Sequence, residues 1–175
     1  MTIIRTLSIG FLTLGLLAGC QSRPASPGAD KSVPLTVEDE EGHSHERGKM
    51  LIADAGPYHA LLTAHLSQKD GHELDLFFET TDTKDPKPVA LPLEGFTAQV
   101  TAGGGEPKEL KFEPAPAGER PKDEKPGTCS HFVAKAPWMK PDEPLYVVAK
   151  VPVEGKSVTA RWKDFLPKKY AHHED

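Results

Sequence analysis

The sequence predicts an all-β fold: one antiparallel β-sandwich, Ig-like in size, over residues 49–167. Three observations predict it. Short runs of alternating apolar and polar residues recur through that stretch, separated by Gly-, Pro- and Asp-containing turns, and a period of two marks half-buried strands. No segment carries a sustained stripe of apolar residues at helical spacing, and the 17 prolines oppose long helices. Several short strands at regular spacing are the pattern of a sandwich.

The elements follow in chain order. "KMLIA" (49–53) is a short strand. "YHALLTAHL" (58–66) and "HELDLFFET" (72–80) flank the turn "SQKDG" and form a hairpin. Its register is set by side-chain pattern: pairing Leu66 with His72 brings Ala64 to Leu74, Leu62 to Leu76 and Ala60 to Phe78. A slip of one residue would set leucines against acids. The other face then holds His65 opposite Glu73 and His59 opposite Glu79, favourable cross-strand pairs. "PVAL" (88–91) is a short strand. "FTAQVTA" (96–102) and "KELKFEP" (108–114) pair around "GGGEP", with Phe96, Ala98, Val100, Leu110 and Phe112 on the apolar face. Residues 113–127, rich in proline and charge, form a surface loop, and "CSHFVAKA" (129–136) is a further strand. "PLYVVAKV" and "KSVTARW" meet through a Glu154-Gly155 turn, which pairs Val151 with Val158, Ala149 with Ala160 and Val147 with Trp162. Gly155 supplies the positive φ that such a turn requires. The set expected inside is Leu62, Leu74, Leu76, Phe78, Val147, Val158 and Trp162. Residues 168–175 read as a polar, histidine-containing tail.

The first 19 residues are an export leader: one base, Arg5, precedes an apolar run that is too short to span a bilayer. The run ends in "LAGC", residues 17–20, which resembles the lipobox of bacterial lipoproteins. The resemblance implies cleavage before Cys20 and fatty acylation of its sulfur. Gln21 in the next position, where an aspartate would signal retention, implies the outer membrane, facing the periplasm. Residues 20–48 read as a flexible acidic tether with almost nothing to bury. About 28 such residues give a root-mean-square reach of roughly 30 Å. Loss of the leader removes one base and no acid, so the mature chain is more acidic than the −5 of the full sequence. That excludes a basic nucleic-acid footprint. With Cys20 acylated, Cys129 is the sole free thiol, and the fold must stand without an internal disulfide.

No G-x-S-x-G, P-loop or H-E-x-x-H pattern occurs, and the expected role is non-catalytic. Metal binding is the sharper expectation. His43 and His45 stand two positions apart in "EDEEGHSHERGKM", beside Glu40, Glu41 and Glu46; His172 and His173 adjoin Glu174 and Asp175. Imidazoles in segments able to bend suit zinc, copper or nickel, although neither pair closes a four-ligand site. His59 and His65 lie roughly 20 Å apart along a strand, too far to share an ion. Cys129 and His131, as alternate residues of a strand, share a face on which thiolate and imidazole could hold Cu(I). Met50 and Met139 are soft donors that serve more simply as packing.

Residues 43–91, "HSHERGKMLIADAGPYHALLTAHLSQKDGHELDLFFETTDTKDPKPVAL", with the later "SHFVAKA" and "AHHED", resemble a family of small exported bacterial proteins and lipoproteins found beside heavy-metal efflux systems. Where that family continues its lead-in with His-Gly-Gly, this chain has Glu46-Arg47-Gly48. The resemblance implies a periplasmic domain that binds zinc or copper, with a metal-efflux or other envelope protein as partner. The rival expectation is a tethered interaction module that docks another envelope protein without metal.

Replacing Cys20 by Ser is expected to release the protein from the membrane fraction. Retention in carbonate-washed envelopes would contradict acylation at this residue.

Overall fold

The computed structural model describes residues 45–174; Cys20, His43 and Asp175 lie outside them. Ten strands make up the architecture: β1 (His45–Arg47), β2 (Met50–Ala55), β3 (Tyr58–Leu66), β4 (Glu73–Thr80), β5 (Phe96–Ala102), β6 (Lys108–Pro114), β7 (His131–Lys135), β8 (Leu145–Val153), β9 (Lys156–Phe165) and β10 (Ala171–Glu174). Nine run antiparallel in one curled sheet, in the order β1-β2-β3-β4-β7-β6-β5-β8-β9, and β10 adds to β3 in parallel. The curl folds the sheet into two facing layers, a sandwich-like arrangement. One layer is β1-β2-β3-β4-β7 and the other β6-β5-β8-β9. They are continuous on one side, where Glu113 and Pro114 of β6 pair with Val133 and Phe132 of β7. On the opposite side Trp162 of β9 donates its indole N–H to the Leu51 carbonyl of β2 at 2.9 Å.

The β3–β4 hairpin takes the expected register from Tyr58↔Thr80 to His65↔Glu73. So does β8–β9, with Val147↔Trp162, Ala149↔Ala160 and Val151↔Val158. Its turn has positive φ at both central residues, Glu154 (51°) and Gly155 (78°), the geometry whose twist matches that of the flanking strands. Phe96 and Phe112 face each other across β5–β6. The buried core joins Leu62, Leu74, Leu76 and Phe78 of one layer to Val147, Val151, Trp162 and Phe165 of the other. Val158, expected inside, is only partly buried at its edge. Phe78, Phe96 and Phe132 meet edge to face, with centroids 5.2–6.1 Å apart, the preferred geometry of aromatic pairs.

Three boundaries differ from expectation. The sheet begins inside the supposed tether, since His45–Arg47 pairs with β2. The supposed polar tail is a strand over Ala171–Glu174, preceded by the buried Tyr170, which stacks on Phe165 at 5.1 Å. "PVAL" forms only isolated bridges, Glu79↔Pro88 and Leu91↔Cys129, because Pro86, Pro88 and Pro92 remove the N–H groups that a ladder needs. The loop after β6 carries one 3-10 turn, Ala117–Glu119.

Two substitutions probe this closure. Leu76→Ala, at a fully buried site, is expected to cost about 2–5 kcal/mol. Trp162→Phe keeps an aromatic ring but removes the indole N–H that the Leu51 carbonyl accepts, and should cost about 0.5–1.5 kcal/mol. Urea denaturation reads both as a lower midpoint, with a similar slope if the variants keep the fold.

Candidate functional site

Alternation assigns the even-numbered residues of β3 to the core, yet β3 is buried on both faces: Leu61 and Thr63 are as inaccessible as Leu62 and Ala64. The outer face of β3–β4–β7 is therefore covered. Its residues are His59, Leu61, Thr63 and His65 of β3, paired with Glu79, Phe77, Asp75 and Glu73 of β4. His131 of β7 pairs with Phe77, and Lys135 with Glu73. The face divides into three zones.

At one end Arg47 of β1 reaches the buried Glu79 at 2.5 Å. His59 stands 3.8 Å from the same carboxylate and 3.7 Å from Asp54. In the middle, His131 stacks on Phe77 with ring centroids 4.0 Å apart. Its Nε2 lies 2.8 Å from Asp75 Oδ1, and its Nδ1 3.4 Å from the Glu119 carbonyl. That ring pins residues 114–125 over the sheet, helped by the Ala115 N–H donating to the His131 carbonyl at 2.9 Å. Ser130 donates both its backbone N–H and its hydroxyl to Glu124. Ser130, His131 and Asp75 thus adjoin without forming a nucleophile–base relay, since the serine hydroxyl is directed to Glu124 and both imidazole nitrogens face other groups.

At the other end β10 runs parallel beside β3. The Tyr170 carbonyl accepts from the Ala64 N–H at 3.1 Å and from the Thr63 hydroxyl at 2.5 Å. The chain then continues with Ala171 opposite Ala64, and a bulge between Ala171 and His173 puts His173 opposite His65. The exposed His172 lies edge-on to His65, with centroids 5.5 Å apart and Nδ1 3.4 Å from the Thr63 hydroxyl. Glu73 faces His65 Nδ1 at 3.8 Å and binds Lys135 at 2.9 Å. That hydrogen bond, ahead of the opposing effect of burial, raises the Lys135 ammonium above its ordinary pKa. Glu46 of β1 accepts from Lys169 and from the Tyr170 hydroxyl (2.6 Å), tying β1 to the approach of β10. Those two bonds, Lys169 first, hold the Glu46 carboxyl below its ordinary 4.5.

The expected ligands fare unequally. His43 lies outside the described residues, and His45 and His173 are placed on β1 and β10 by their backbones. His172 stands beside His65, not in a free tail. Cys129 and His131 do not share a face. Cys129 precedes β7, is buried in the core and donates its thiol to the His131 carbonyl at 2.8 Å. His131 opens β7 on the opposite, outer side, so the period-two rule does not span the pair. Met139 is core and Met50 lines the outer face. Among the described residues no three His, Cys, Asp or Glu side chains form a group able to hold a metal ion. His65 is the partner that sequence reasoning missed. The signal was the apolar Tyr170-Ala171 within the polar C-terminal stretch.

Between the first two zones and the covering loop lies a cleft of about 420 Å³, with Leu61, Phe77 and Met50 beside Arg47, Glu79, Arg120 and His131. Its signal in the sequence was Leu61 opposite Phe77, an apolar pair on the face that the register turns away from the core. No family model, curated protein or solved structure is significantly similar to the chain.

Glu46 contributes stability above its ordinary pKa, and the contribution declines as pH falls through the lower folded value. Glu46→Gln is therefore expected to abolish an acid-triggered loosening of β10 that the parent shows below about pH 4.5. Hydrogen exchange at the Ala64 N–H, compared at neutral and acid pH in both proteins, measures it.

Proposed function

We propose that this chain is a lipoprotein held through Cys20 in the cell envelope, on the periplasmic side of the outer membrane, whose β-domain takes up or buffers a transition-metal ion without catalysis. The approach of His65 and His172 to 5.5 Å carries the reading. Zinc–nitrogen bonds of about 2.0–2.1 Å set each imidazole centroid roughly 3 Å from the ion, so two ligands at a tetrahedral angle stand about 5 Å apart. The two rings are within a small side-chain adjustment of that spacing. Glu73 against His65 Nδ1 is the carboxylate–imidazole pairing that fixes a ligating ring, and the Thr63 hydroxyl does the same for His172 Nδ1. With Nδ1 held in this way, Nε2 of each ring would be the ligating atom.

Two imidazoles leave the remaining positions to water or to a partner's side chain. That suits exchangeable binding better than permanent structural retention. Imidazole suits zinc and copper, and the acidic mature chain favours cations at its surface. The lipobox-like leader and the resemblance to exported proteins beside heavy-metal efflux systems support the same location and partners. Because the ligating ring must be neutral, protons compete with the metal, and affinity decreases as pH is lowered.

Calorimetric titration of the untagged mature protein with zinc tests this. His65→Ala and His172→Ala are each expected to weaken binding about tenfold or more, in line with the effect of disturbing even the supporting shell of a metal site. Unchanged binding in both variants would move the ion elsewhere. No binding by the parent would leave the interaction-module reading ahead.

A further inference from the structure

We infer that the cleft over the outer face of β3–β4–β7 is a binding site for a small carboxylate with an apolar body, held by Arg120. This does not rest on the metal reading, which concerns the other end of the same face. The cleft volume of about 420 Å³ falls within the range of small-molecule sites, which are concave, largely apolar and equipped with a few fixed polar groups. Its apolar part is built on rigid strands: Leu61 and Phe77 sit directly opposite each other on β3 and β4, and Phe77 is stacked on His131. The roof is fastened to that floor through His131 and through the Ser130–Glu124 bonds.

The polar side chains of the cleft are not equally committed. Arg47 is engaged by Glu79 at 2.5 Å. His131 is engaged by Asp75. Arg120 is different. Its Nε is buried without a hydrogen-bond partner, and its ion-pair contact is with Glu124 at 4.0 Å from Nη1. Glu124 has already given its Oε1 to Ser130. A buried N–H left unpaired costs free energy; a turn of the part-exposed Arg120 side chain would present its Nε–Nη edge, the side that grips a carboxylate with two parallel bonds. An arginine so placed beside an apolar floor selects a ligand with a carboxylate at one end and a ring or branched chain at the other. Two acids line the wall: Arg47 compensates Glu79, and Glu119 is exposed, where solvent weakens its repulsion of an anion.

3-Phenylpropanoate is the probe, with 3-phenylpropanamide as its neutral isostere and 3-phenylpropylamine as its cationic one. Nuclear magnetic resonance titration of the full mature protein reads Kd and the resonances that move. The acid is expected to bind in preference to both isosteres and to shift Leu61, Phe77 and the Arg120 Nε–H. Arg120→Gln, in an exposed loop, should weaken it about tenfold or more while leaving the urea midpoint unchanged; Arg120→Lys should fall between. If Arg120→Gln is destabilised, the comparison of acid with amide on the parent decides alone. Equal binding of acid and amide, preference for the amine, undiminished binding by a stable Arg120→Gln, or no binding by the parent would each overturn the assignment.

Discussion

The length of β3 is the constraint on which the rest of this structure depends. β2 accompanies β3 only from Tyr58 to Leu62, yet β3 runs on to Leu66 and stays buried at Thr63, Ala64 and Leu66. Backbone N–H and C=O groups on that edge cannot be left unpaired inside a protein. The C-terminal segment meets the need by returning as β10 on the side that β2 vacates. Tyr170 anchors the return three ways: its ring stacks on Phe165, its carbonyl takes the Ala64 N–H, and its hydroxyl reaches Glu46. A backbone requirement thereby sets a C-terminal histidine against one more than a hundred residues earlier in the chain.

The two faces of the β1-β2-β3-β4-β7 layer do different work. The inner face is apolar apart from Glu46, Tyr58 and Thr80 at its margins, and it meets the second layer in the core. The outer face alternates acids with bases and imidazoles: Glu79 pairs with Arg47, Glu73 with Lys135, and Asp75 shares a hydrogen bond with His131. Such pairs offset the desolvation that each carboxylate suffers without making a large net contribution to stability. The buried atoms without a hydrogen bond on that face and in the loop over it are Asp75 Oδ2, Glu79 Oε1, Arg120 Nε and Glu124 Oε2.

Local pattern made the hairpins legible in sequence. In β3–β4 and β8–β9 the two strands are neighbours in the chain, and a slip of one residue would turn Leu62 and Leu76, or Val147 and Trp162, out of the core. The same rule failed where its premise failed. Cys129 lies just before β7 begins, so counting by twos to His131 crossed a change of direction. "PVAL" had strand composition but lacked the donors. β10 was legible only in that Tyr170-Ala171 is apolar within a polar stretch; the strand is short and parallel and pairs far away in sequence, and nothing in "AHHED" announces its partner. The covered outer face was readable in part, from Leu61 opposite Phe77, but the proline-rich loop that covers it carries no periodicity from which to place it. Hence the strand pairings were largely accessible from the residues, whereas both candidate binding regions arise from contacts between distant segments.

The central claim is that the β10–β3 pairing makes His65 and His172 ligands of one ion. Imidazole nitrogen resonances of the mature protein, followed through a zinc titration, test it most directly. The account predicts that the Nε2 resonances of His65 and His172 move together and saturate at the same zinc-to-protein ratio. Movement of one ring without the other, or of neither while zinc binds, would contradict it.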